Sequence, residues 1–90
     1  MAFTSHSLTS AWSEVTGLTD GTRYRVYIDT RVNIRATQLA TGTTPMNTHP
    51  SVQLLTGTWF SIIARAGESY WVRLVNEGAG QLVIVEIGDA

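Results

Sequence analysis

The sequence predicts an all-β domain: a small antiparallel β-sandwich or jelly-roll-like barrel of about seven to eight short strands, preceded by an extended N-terminal arm. Three observations predict it. Thr is the commonest residue, and β-branched side chains favour pleated strands. Apolar and polar residues alternate strictly over residues 22–30 and again over 32–37. Turn signals built on Gly, Asp and Asn then recur at fairly even spacing, and no segment carries a helical period. Ninety residues make one domain with a thin core, for which self-association is a natural support.

Residues 1–11 are rich in Ser and Thr with isolated Phe3 and Leu8, and read as an extended arm ahead of a single β-domain over 12–90. Residues 12–16 form a first short strand. Asp20-Gly21 before residues 22–30 is a strong hairpin signal, because both residue types tolerate positive φ. Val32, Ile34 and Ala36 continue the alternation after a bend at Asp29, Thr30 and Arg31. Residues 39–51 have no period and hold both prolines, so they read as a long loop, a kind of segment that often makes contacts. Residues 52–55, 59–64, 70–75 and 81–87 supply four further strands.

The last two of these, joined by a loop at 76–80, read as a hairpin that sets Val72 against Val85 and Leu74 against Val83 on one face. The other face holds Trp71, Arg73, Val75, Leu82, Ile84 and Glu86, too apolar for a surface facing water. That face is the expected self-association surface, with Arg73 and Glu86 pairing within it. Phe3 and Leu8 in the arm, and Pro45, Met46, His49 and Pro50 in the loop, are the expected contacts with a larger partner. Fixed proline dihedrals lower the cost of ordering such a loop.

Composition excludes several classes of function. No Cys means no disulfide framework, thiolate metal site or thiol nucleophile, and two His without Cys make no spaced zinc motif. Ser51, His49 and Asp29 could be assembled as a catalytic set only without any supporting local signature, so no enzyme, cofactor or metal is expected. Net charge is −1 and every basic residue is Arg; Arg23, Arg25, Arg31 and Arg35 could form a stripe, but the overall charge is wrong for a dedicated nucleic-acid binder. No run approaches the length of a membrane span, and residues 1–8 lack the basic start and apolar stretch of an export signal. Charged residues are only 14% of the chain, which suits burial against other protein. Three Trp leave room for a sugar-stacking module, with Trp12 the freest to act as a platform.

In its Cys-free length, its N-terminal arm and its C-terminal pair GESYWVRLV (67–75) and QLVIVEI (81–87), the chain resembles small β-sandwich decoration (cement) proteins of bacteriophage capsids. The resemblance implies a non-enzymatic virion protein on the outer capsid surface. It would bridge and stabilise neighbouring subunits of the major capsid protein, as a homo-oligomer with a trimer favoured. The alternatives from the same residues are a carbohydrate- or receptor-binding module of a phage fibre, and a tail or head-tail joining component.

Overall fold

The computed structural model describes residues 3–46 and 50–89, and the side chains of 4–46 and 50–88. Its strands are β1 (Phe3–Leu8), β2 (Ser13–Glu14), β3 (Thr22–Thr30), β4 (Ile34–Ala40), β5 (Val52–Leu54), β6 (Trp59–Ile63), β7 (Glu68–Leu74) and β8 (Gly80–Asp89). They form two four-stranded antiparallel sheets: sheet A in the order β1-β8-β3-β6, and sheet B in the order β2-β7-β4-β5. Strands pair first with last and inward from there, β1 with β8, β2 with β7, β3 with β6 and β4 with β5. A long antiparallel ribbon rolled over on itself gives this order, and it makes the domain a jelly roll, a form of the expected β-sandwich.

Alternation positions the core. Tyr24, Val26 and Ile28 of β3 and Leu82 and Ile84 of β8 face inward from sheet A. Ile34, Val72 and Leu74 face them from sheet B, and Leu8, Val15 and Ile62 close the ends. Outward positions carry Arg23, Arg25, Tyr27 and Asp29 on β3, and Trp71 and Arg73 on β7.

The expected hairpin between the last two strands does not form. β7 pairs with β4 along its whole length, while β8 pairs with β3 from Thr22↔Asp89 to Thr30↔Gly80, so the loop after Leu74 carries the chain from one sheet to the other. Those ladders are longer than the hairpin could be, and they place one face of each strand in the interior. Leu82 is 0% exposed and Ile84 3% exposed, facing Val72 and Leu74 across the sandwich. One strand's share of each expected hairpin face, Val72 and Leu74 from one and Leu82 and Ile84 from the other, thus supplies the two walls of one core, while Trp71, Arg73, Val83 and Val85 point outward. The ladder is bulged between Arg23 and Tyr24, which pair with Gly88 and Glu86, and this leaves Ile87 unpaired and 47% exposed.

Asp20-Gly21 also turns the chain between sheets. Thr22 N–H donates to Thr19 O at 3.2 Å, and Gly21 has φ 80° while Asp20 stays at negative φ. Positive φ at the second central position alone belongs to a type II turn, whose twist does not suit a two-residue hairpin.

Nor is the N-terminal stretch a free arm. β8 needs a partner on each edge, and β1 supplies one from Phe3↔Val85 to Leu8↔Gly80. Leu8 is 2% exposed, one of the core side chains. The loop expected over 39–51 begins later, because Leu39 and Ala40 still belong to β4. Thr41 N–H then donates to Gly67 O at 2.9 Å and Thr37 Oγ1 to Pro50 O at 2.9 Å, tying both ends of the segment to sheet B.

Candidate functional site

The outer face of sheet B carries the densest cluster of unusual side chains. Glu14 lies opposite Trp71 in the β2–β7 ladder, so Trp12, two residues earlier, flanks Arg73. The Arg73 guanidinium sits 5.4 Å from the Trp12 ring centroid, a cation–π contact. On the other side of β7, Trp71 lies opposite Thr37 and Arg73 opposite Arg35. Two arginines directly across a ladder repel each other. Arg35 is turned away, its Nε donating to Ser51 Oγ at 2.8 Å and its Nη1 to Gln53 Oε1 at 3.4 Å.

Among the described residues three donors in this cluster have no acceptor: Trp12 Nε1, Trp71 Nε1 and Arg73 Nε are all shielded from solvent and unbonded. A buried donor left unsatisfied costs about 1–3 kcal/mol, and three on adjacent positions of one face are unusual in a native domain. Arg73 Nη1 donates to Leu74 O at 3.2 Å, which leaves the Nε edge of the guanidinium as its unpartnered side. Among the described residues no ion pair joins Arg73 or Arg35 to Glu14.

A second aromatic group lies on the outer face of sheet A. Trp59 is 48% exposed, its ring centroid 5.1 Å from that of Tyr27 at an interplanar angle of 53°, with the Arg25 guanidinium also 5.1 Å from the indole. At the β5/β6 edge the sandwich opens into a cavity of about 340 Å³ lined by Ala36, Val52, Leu54, Phe60, Ile62 and Tyr70. The Tyr70 hydroxyl donates to Ile63 O and bridges the two sheets there.

The expected self-association residues separate. Trp71 and Arg73 lie on the outside of sheet B and Val75 in the loop just after it, all three half-buried; Leu82 and Ile84 are core residues of sheet A; Glu86 sits beside Tyr24 at the bulge. Arg73 and Glu86 therefore cannot pair, being on different sheets. Of the expected partner contacts, Leu8 and Pro45 are buried, Met46 is 61% exposed and Pro50 is exposed. Phe3 is on β1 with its side chain outside those described, and His49 lies outside the described residues.

The arginine stripe splits, with Arg23 and Arg25 outside sheet A and Arg35 outside sheet B. Ser51 and Asp29 are likewise apart, Ser51 just before β5 and bonded to Arg35 of sheet B, and Asp29 on sheet A accepting from Gln81 Nε2 at 3.1 Å. No group of three metal-ligating side chains occurs among the described residues. His6 Nε2 and Ser13 Oγ are hydrogen-bonded at 2.8 Å between the two sheets, and burial holds the imidazole below its ordinary pKa. Trp12, which reads in the sequence as a free platform, is half-buried against Arg73. No protein-family model, curated protein or solved structure gives a match to this chain.

Proposed function

We propose that this jelly roll is a non-enzymatic virion protein that decorates a bacteriophage capsid, bridging neighbouring major capsid protein subunits through the outer face of sheet B. One observation carries the proposal: the acceptorless donors of Trp12, Trp71 and Arg73, which a docked protein can satisfy once the side chains that shield them reorient. Trp and Arg are also the residue types that dominate binding energy at protein interfaces. The face is continuous through Arg35 and Thr37 with Ser51 and Pro50, so the C-terminal end of the loop joins the same contact. Jelly rolls recur in viral capsids, an analogy of fold that agrees with this role without requiring it.

Because Leu82 and Ile84 are core residues, self-association moves to the outer face of sheet A, where Trp59 and Ile87 are each about half exposed (48% and 47%). A protein that binds the assembled lattice better than free subunits stabilises the lattice by linkage. Jelly rolls also include lectins, and Trp59 supports a sugar-binding reading. Against it, Arg25 and Tyr27 already crowd that indole.

Co-sedimentation with mature shells tests the role, using particles of the phage whose genome carries the gene. Wild-type protein is expected to pellet at a fixed copy number per shell, and the double variant Trp71→Ala, Arg73→Ala to remain in the supernatant while still folded. Wild-type protein that never pellets defeats the decoration role; a double variant that pellets normally defeats the choice of face. Binding to a glycan array in place of shells selects the sugar reading.

A further inference from the structure

We infer that the Trp12–Trp71–Arg73 cluster is a receiving site for a carboxylate, an Asp or Glu side chain carried on a protein partner. The inference deepens the proposed docking role and rests on it for the partner being a protein. The unmet groups fix the ligand's chemistry. Indole N–H and guanidinium N–H are donors only, so all three call for an acceptor. The charge calls for an anion: Arg73 stands at the register position opposite Arg35, and neither has a carboxylate partner among the described residues.

Geometry narrows it further. With Nη1 donating to Leu74 O, the free edge of Arg73 is the Nε side, the edge that grips a planar carboxylate through parallel hydrogen bonds. The Trp12 ring lies over that guanidinium at 5.4 Å, and all three donors are shielded in the free protein, so the carboxylate reaches them through side-chain rotamer changes of the kind common on docking. Glu14, opposite Trp71, sets the limit on charge. One carboxylate is balanced by Arg73, with Arg35 on the neighbouring strand, whereas a polyanion such as nucleic acid meets Glu14 and a chain of net charge −1.

The test follows the indole N–H resonances of the whole ¹⁵N-labelled chain by NMR, titrated with an acetylated, amidated Ser-Glu-Ser-Glu-Ser peptide and with its Gln counterpart. Trp12 and Trp71 are expected to shift downfield saturably with the Glu peptide while Trp59, on the other sheet, stays fixed as an internal control. The Gln peptide and the Arg73→Lys variant are each expected to bind about tenfold more weakly. Trp71→Phe separates binding from structure: loss of an unmet donor is expected to raise Tm and lower peptide affinity together, whereas a packing role lowers Tm.

Absence of any shift at millimolar Glu peptide, or equal binding of the Gln peptide, overturns the inference. Stronger binding of inorganic phosphate overturns it in favour of a phosphate site, and shifts with maltose alone in favour of a sugar site. Peptide binding by a protein that ignores shells defeats the decoration reading and leaves the carboxylate site standing; shell attachment with no response to the peptide does the reverse.

Discussion

Leu82→Ala measures whether β8 faces the core as its ladder with β3 requires. Leu82 is 0% exposed, pairs with Ile28 on one side and His6 on the other, and faces the interior of the sandwich. Truncating a buried Leu to Ala removes its transfer free energy and leaves a cavity, together about 2–5 kcal/mol. A domain of this length has a total stability of about 5–13 kcal/mol. The substitution therefore removes a large share of it, and Tm falls by about 10–25 °C.

Urea unfolding followed by Trp fluorescence gives the same quantity at constant temperature, with a midpoint shift of roughly 2 M for a slope of about 1.5 kcal/mol per M. Val83→Ala, one residue along and on the outer side, serves as the control with a loss below about 1 kcal/mol. Were β7 and β8 a hairpin with Leu82 on a self-associating surface, Leu82→Ala would leave the urea midpoint of the monomer in place and alter its elution on a sizing column. That pair of results refutes the two-sheet assignment.

Two further outcomes follow from local features. His6 is held below its ordinary pKa by burial, so the unfolded chain binds the proton more readily; this contribution to stability is complete above about pH 6.5 and declines as pH falls through the lower native value. Urea midpoints at about pH 7.5 and about pH 5 should differ less for His6→Gln than for wild type, and an equal difference removes His6 from the acid response. A Cβ on Gly80 would stand 2.6 Å from Thr30 Cγ2, 2.9 Å from Cβ and 3.0 Å from Cα. Gly80→Ala should cost about 1–3 kcal/mol in urea unfolding, and Thr30→Ser, which removes only the methyl group, should restore part of it.

Strand positions were legible because alternation is a local property. Residues 22–30 advertise both their conformation and their buried side, and Tyr24, Val26 and Ile28 are core as their spacing implies. Pairing was not legible, because a turn signal states that the chain reverses without stating whether it returns to the same sheet. Asp20-Gly21 and the loop after Leu74 both change sheets. β8 added a second ambiguity: Val85, on its outer side between Phe3 and Arg25, is 6% exposed, so neither parity of that strand reads as wet.

β1 was hidden for a related reason. It is an edge strand whose inward positions include Thr4 and His6 at the rim, and only Leu8 reaches the interior. Half of the candidate site was visible, since Trp71 and Arg73 share a face by their spacing. Trp12 joins them only through the pairing of β2 with β7, a non-local partnership that no sequence window contains.

First-with-last pairing also dictates when this chain can fold. β8 occupies an inner position of sheet A, between β1 and β3, so β1 has no ladder to join until β8, seven strands later, has emerged. Closure of the sheet is then a late event dominated by distant contacts, the regime in which folding is slow and open strand edges are vulnerable to mispairing. Loss of β8 at the ribosome would strip β1 of its ladder partner and leave β3 with an exposed edge, yielding an aggregation-prone fragment in place of a smaller domain.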